Sequence, residues 1–159
     1  MLYRNNGDGT FSDMSMTAGS GIRMSSAARG LAIADFWNDG RISAAISNIN
    51  ETPNLLVNRS PDRNHWVGLK LVGTRSNRDA IGARITVKTG SRMQVDEARS
   101  GSSYLSQSDL RSHFGLGQSD RIEFVEVRWP SGLVERFEGL VVDRIHTVKE
   151  GSGKVTMVH

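Results

Sequence analysis

Hydrophobic residues recur in this chain with a period of two, and that alternation constrains its fold more than any other feature. In Gly82–Lys88, Ala83, Ile85 and Val87 point one way while Arg84, Thr86 and Lys88 point the other. Arg92–Asp96 repeats the pattern and places Met93 and Val95 inside. Val125, Val127 and Trp129 alternate with Glu126 and Arg128, and Val67, Leu69 and Leu71 form a further apolar face broken by Lys70. Each run reads as a half-buried strand, because successive side chains of a strand face opposite sides of the sheet. No segment carries a sustained helical apolar stripe with caps, so little helix is expected.

The connections between these runs carry turn chemistry. Asn6-Gly7-Asp8-Gly9 separates Leu2-Tyr3 from Thr10-Phe11, and residues that tolerate positive φ are what a tight hairpin needs there. Thr89-Gly90-Ser91 and Pro130-Ser131-Gly132 join alternating runs in the same way. The expected fold is therefore all-β, with an antiparallel meander forming a sandwich or barrel in the second part. A boundary is expected in the polar, proline-containing stretch Arg59–Asn64, which leaves a first part of about 60 residues, small for an independent core.

Several function classes fall away on composition. No apolar run approaches the about 18 residues that a membrane-spanning helix requires. The chain has no cysteine, which removes disulfides, thiolate zinc sites and thiol catalysis. The formal charge of +3 lies wholly beyond residue 60, since the first part carries five arginines against five acids. No block of adjacent basic residues supports a nucleic-acid site.

Two motifs resemble known families. Gly30-Leu31-Ala32-Ile33-Ala34-Asp35-Phe36-Trp37-Asn38-Asp39-Gly40-Arg41-Ile42 resembles the FG-GAP (VCBS-type) repeat of β-propeller proteins, in which a strand runs through an acidic loop into a second strand. Leu2–Phe11 and Asn54–Asn58 resemble strands of neighbouring blades. Further on, Gly101–Ser108, then His113-Phe114-Gly115-Leu116-Gly117, then Val125–Gly132 are similar in order and spacing to the ASPIC/UnbV domain. The resemblance implies partial propeller-type blade strands in residues 1–60, an ASPIC/UnbV β domain over 64–151 and a tail over 152–159, frayed or an added strand. It also implies an extracellular or periplasmic setting. Met1–Asn6 lacks a signal-peptide pattern, which in that setting reads as a chain shortened at its start. One or two blades leave sheet edges to cover, so residues 1–60 are expected to pack on the second domain or to pair with another copy in a homo-oligomer.

The acidic loop is the best-defined candidate site. In the repeat it resembles, oxygens at the first, third, fifth and ninth positions and a backbone carbonyl hold calcium, a cation that takes six to eight hard oxygens. Asp35 and Asp39 stand at the first and fifth positions, but Trp37 and Ser43 stand at the third and ninth, and Arg41 supplies the carbonyl. This is a degenerate calcium loop, and the favoured reading is a hydrogen-bonded turn with no cofactor beyond weak calcium.

Arg99, Tyr104, Gln107, Arg111, His113 and Arg128 are the candidate ligand-binding residues. Exposed aromatics and amides such as Tyr104 and Gln107 suit sugars or peptides, while Arg99, Arg111 and Arg128 suit an anion. The plainer alternatives are a core Tyr104, a buried and hydrogen-bonded His113 on a strand, and a salt-bridged arginine surface. Ser106, Ser108, Asp109 and His113 crowd one segment, which raises a hydrolase, yet no G-x-S-x-G elbow accompanies them. The expected function is thus a non-catalytic extracellular module that binds protein or carbohydrate. Its alternatives are polyanion recognition through arginines, and hydrolysis around Ser108, Asp109 and His113.

Overall fold

A computed structural model of the chain describes residues 1–61 and 64–158. Asp62 and Arg63 of the expected boundary, and His159 of the expected tail, lie outside the described residues. Apart from one 3-10 turn at Ser20–Arg23, the regular elements are strands. In order they are β1 (Tyr3–Asn5), β2 (Phe11–Asp13), β3 (Ala28–Ala34), β4 (Ser43–Asn48), β5 (Asn54–Leu56), β6 (His65–Val72) and β7 (Arg84–Thr89). They continue as β8 (Arg92–Glu97), β9 (Ser112–Gly117), β10 (Phe124–Arg128), β11 (Val134–Phe137), β12 (Arg144–Lys149) and β13 (Val155–Met157).

Two four-stranded sheets, β11-β10-β7-β8 and β13-β12-β6-β9, supply the core. Val67, Leu69, Phe114, Leu116 and Val148 come from one, and Ile85, Val87, Val125, Val127 and Phe137 from the other. The three hairpin turns form as the sequence implies. Gly7 and Gly90 adopt positive φ within them, and Gly132 N–H closes the third on Trp129 O at 2.9 Å. The segment after Lys149 is an added strand: β13 pairs antiparallel with β12.

Two expectations need correction. The second part is not a pure antiparallel meander, because β6 and β12 pair in parallel from Arg144↔Val67 to Lys149↔Val72. Nor do Met93 and Val95 face inward; they are 58% and 49% exposed. The cause is register. The turn at Gly90-Ser91 pairs Thr89 with Arg92, so Val87 lies opposite Gln94 and Ile85 opposite Asp96. Cross-strand partners share a face, so Gln94 and Asp96 turn inward while Met93 and Val95 join Lys88 and Thr86 outside.

Residues 1–60 contribute nothing to the described core cluster. They form a β1-β2 hairpin and a three-stranded antiparallel sheet, β3-β4-β5. That sheet sits over the outward face of β6 and β9, which explains why Trp66 and Gly68 are buried although they point away from the sandwich interior.

Candidate functional site

The site is built where the free edge of β3 meets the segment 101–111. An unpaired strand edge presents N–H and C=O groups that must find partners. Here the Ser103 hydroxyl accepts from Leu31 N–H at 3.3 Å and the Ser108 hydroxyl from Ile33 N–H at 3.3 Å. Asp109 N–H donates to Ile33 O at 2.9 Å. Serine hydroxyls thus take the place of a neighbouring strand's main chain. The approach is close: a Cβ on Gly30 would lie 2.4 Å from Ser106 Oγ and 2.9 Å from Tyr104 O. Arg29, the extra residue of a bulge in β3, places its guanidinium 4.4 Å from the centre of the Tyr104 ring.

The acidic loop follows β3 directly. Asp35 is 4% exposed, and its carboxylate accepts the N–H groups of Asp39 at 3.1 Å and Gly40 at 2.8 Å. Asp39 turns to Arg41, accepting its N–H and its Nη1 at 3.0 Å each. The Arg111 guanidinium reaches in from β9's leading segment. Nη1 donates to Asn38 Oδ1 at 2.6 Å, Nη2 to Asp35 O at 3.0 Å and Nε to Asp109 Oδ2 at 2.6 Å. These residues do not fit calcium. Trp37 offers no oxygen at the third position, each Asp35 oxygen accepts a main-chain N–H, Asp39 is paired with Arg41, and the Arg111 guanidinium adds a positive charge at Asn38 Oδ1 and the Asp35 carbonyl. Among the described residues no three His, Asp or Glu side chains gather as a metal-binding group.

Beneath this contact lies a cavity of about 310 Å³. Its floor is the outward face of the sandwich, with Trp66, Gly68, His113 and Ile145; Ile33 and Leu110 wall it. Gly68 keeps the floor open, since a Cβ there would crowd Ile145 Cγ1 at 3.0 Å. The Trp66 and His113 rings stack with centroids 5.5 Å apart and 10° between planes. Burial pushes the His113 imidazole below its ordinary pKa, and the Asp35 carboxylate and Gly40 carbonyl offset this only in part. Its Nε2 is buried without a hydrogen-bond partner. Around the rim stand Arg99, Ser102, Gln107 and Ser108. Apolar walls with a few polar groups at the mouth are the usual make-up of a small-ligand site.

The description ASPIC and UnbV matches residues 73–155, more than half of the chain. The chain belongs to the ASPIC and UnbV family. It is also 28% identical over 111 residues to Cartilage acidic protein 1 of Xenopus tropicalis, across 66% of this chain and 16% of that protein. The chain thus spans less than a fifth of that relative's length. The matched segment of the ASPIC and UnbV family carries the serine-rich loop, β9 and the cavity floor contributed by His113 and Ile145, whereas β3 and the acidic loop lie before it.

Of the candidate residues, Asp35, Arg99, Gln107, Arg111 and His113 meet at the cavity. Asp39 is beside it in the turn. Arg128 lies at the end of β10 in the other sheet, with Arg84 opposite it, and is not among the lining residues. Tyr104 is not core: it is 54% exposed and carries Arg29 on its ring. His113 is partly buried on β9 with its ring hydrogen-bonded to the Gly40 carbonyl, as expected, while its Nε2 has no hydrogen-bond partner. Ser108 Oγ engages Ile33 N–H and Ser102 Oγ, and Asp109 engages Arg111. The sequence reading passed over Trp66, Leu110 and Ile145 as site residues. Trp66 alone left a signal, an indole falling on the polar side of the β6 alternation.

Proposed function

We propose that this chain is a non-catalytic extracellular binding module whose ligand, a protein segment or a carbohydrate, enters the cavity between β3 and the sandwich. The observation that carries the reading is the cavity itself, with an apolar floor of Trp66, Gly68 and Ile145 under a rim of Ser102, Gln107 and Ser108. An indole face and neighbouring amides and hydroxyls suit the faces and edges of a sugar ring or an extended peptide. The extracellular setting is supported by family membership and by the likeness to Cartilage acidic protein 1. Absence of catalysis is supported by the engagement of Ser108 and Asp109 with partners other than His113.

Residues 28–56 act in this reading as a remnant FG-GAP-type blade. What supports it is a three-stranded antiparallel sheet with the acidic loop between its first two strands. Association of copies through residues 1–60 is supported by the exposed Leu55, Val57, Tyr3 and Phe11. Screening the chain on glycan and peptide arrays tests the main reading. Specific hits that persist at high salt are expected. Retention on heparin that collapses with salt would replace it with polyanion binding, as counterion release requires. Turnover of ester, phosphate or glycoside substrates, lost in His113→Ala, would replace it with a hydrolase.

A further inference from the structure

The acidic loop resembles a calcium loop with degenerate ligand positions, and a cation from the second half of the chain lies against it. Three oxygens converge on the Arg111 guanidinium: Asn38 Oδ1 at 2.6 Å, the Asp35 carbonyl at 3.0 Å and Asp109 Oδ2 at 2.6 Å from Nε. Two of the three belong to the loop, and the third lies two residues before Arg111 itself. Asn38 is held at φ 56, a left-handed conformation that asparagine tolerates better than most residues and that turns the loop at this point. We infer that Arg111 is the resident cation of the acidic loop, supplying from the ASPIC and UnbV part of the chain the positive charge that a divalent ion would otherwise bring.

The planar fork of arginine suits this role. It offers several N–H donors in fixed directions, so one side chain satisfies oxygens on two segments at once. The Arg111 N–H also donates to Asp109 Oδ1 at 3.0 Å, which fixes the carboxylate before the side chain extends. A divalent cation held by the loop carboxylates would be repelled by the guanidinium, which already interacts with the Asp35 charge. The contact between β3's loop and the sandwich therefore depends on neither calcium nor its removal. This inference does not rest on the ligand assigned to the cavity.

Thermal unfolding of the full chain in EDTA and in calcium at about 5 mM, above the about 1 mM at which extracellular sites are weakest, tests it. The wild-type Tm is expected to be the same in both. Arg111→Ala lowers the Tm in EDTA and removes the positive charge beside the Asp35 carboxylate. Calcium a few-fold above its Kd then raises the Tm by about 2–4 °C. Arg111→Met, which keeps the side-chain stem, gives the same calcium response should Arg111→Ala fail to fold, whereas Arg111→Lys keeps a cation in place and stays unresponsive. A wild-type Tm that rises with calcium would overturn the inference. So would alanine and methionine variants that ignore calcium, or a lysine variant that responds as they do.

Discussion

Gly40 lies so close to Trp66 that a Cβ built on it would fall 2.2 Å from the indole Nε1. The acidic loop is thus pressed against the outward face of the sandwich, and glycine is needed there twice over, since its φ is +84. Gly40→Ala is expected to cost about 3 kcal/mol, combining left-handed strain with overpacking. Gly7, at φ +86 with nothing within 4 Å, provides the comparison. Gly7→Ala should cost about 1 kcal/mol from strain alone. Urea denaturation of the two variants reads the difference, which is the packing of the loop on Trp66.

The inverted facing of β8 makes a contrast within one hairpin. Val95→Thr replaces an outward side chain and should change stability by no more than about 0.5 kcal/mol. Ile85→Ala empties a fully buried position on the partner strand of the same ladder and should cost about 3 kcal/mol. Similar losses from both, measured by chemical denaturation, would place Val95 back in the core.

These two strands also show what a sequence of this kind discloses. Ile85, Val87, Val127 and Trp129 were legible as core because alternation within a strand is local. The facing of Met93 and Val95 was not, since apolar residues in a short run look inward until the turn's register is known. The parallel pairing of β6 with β12 joins residues over seventy positions apart, and no local pattern records it. Arg111 read as a surface cation for the same reason, because its partners Asp35 and Asn38 belong to another part of the chain. Gln107 and His113 were recognised as site residues from their motif, while Trp66, Leu110 and Ile145 became site residues only when the outward face of the sheet acquired a cover.

Glu150 is a structural carboxylate that no motif announced. It is 2% exposed and accepts the N–H groups of Thr74, Arg75 and Ser76 at 2.7, 2.8 and 2.8 Å, together with the hydroxyls of Ser76 and Ser131. Burial alone would raise its pKa, but the Ser131 hydroxyl and the three N–H groups outweigh it and hold the carboxyl far below the usual carboxylate range. Ionised Glu150 therefore stabilises the fold above the unfolded-state pKa of about 4.3, and this contribution is lost as pH falls below that value. Thermal melts between pH 7 and pH 3 should show Glu150→Gln less stable at neutral pH and less sensitive to acid than the wild type. Parallel pH profiles would contradict this.

His113 titrates in the opposite sense to a paired histidine. Its pKa is lowered by burial, so the unfolded chain takes up a proton more readily than the folded one. The neutral ring's contribution is complete above the unfolded value of about 6.5 and is lost as pH falls from there through the folded value. The His113 ring proton followed by NMR should titrate with a midpoint below about 6.5, with the Trp66 indole signals moving alongside it. A midpoint above that value would contradict the burial of the ring against Trp66.

Titration calorimetry of a ligand taken from the arrays, into the wild type and into Leu110→Trp, tests the central claim that the cavity between β3 and the sandwich is the binding site. Leu110 walls the cavity and is partly exposed, so a larger ring can fill the space without entering the sandwich core. The account predicts affinity weakened by about tenfold or more at an unchanged Tm. An unchanged Kd in a folded Leu110→Trp variant would contradict it.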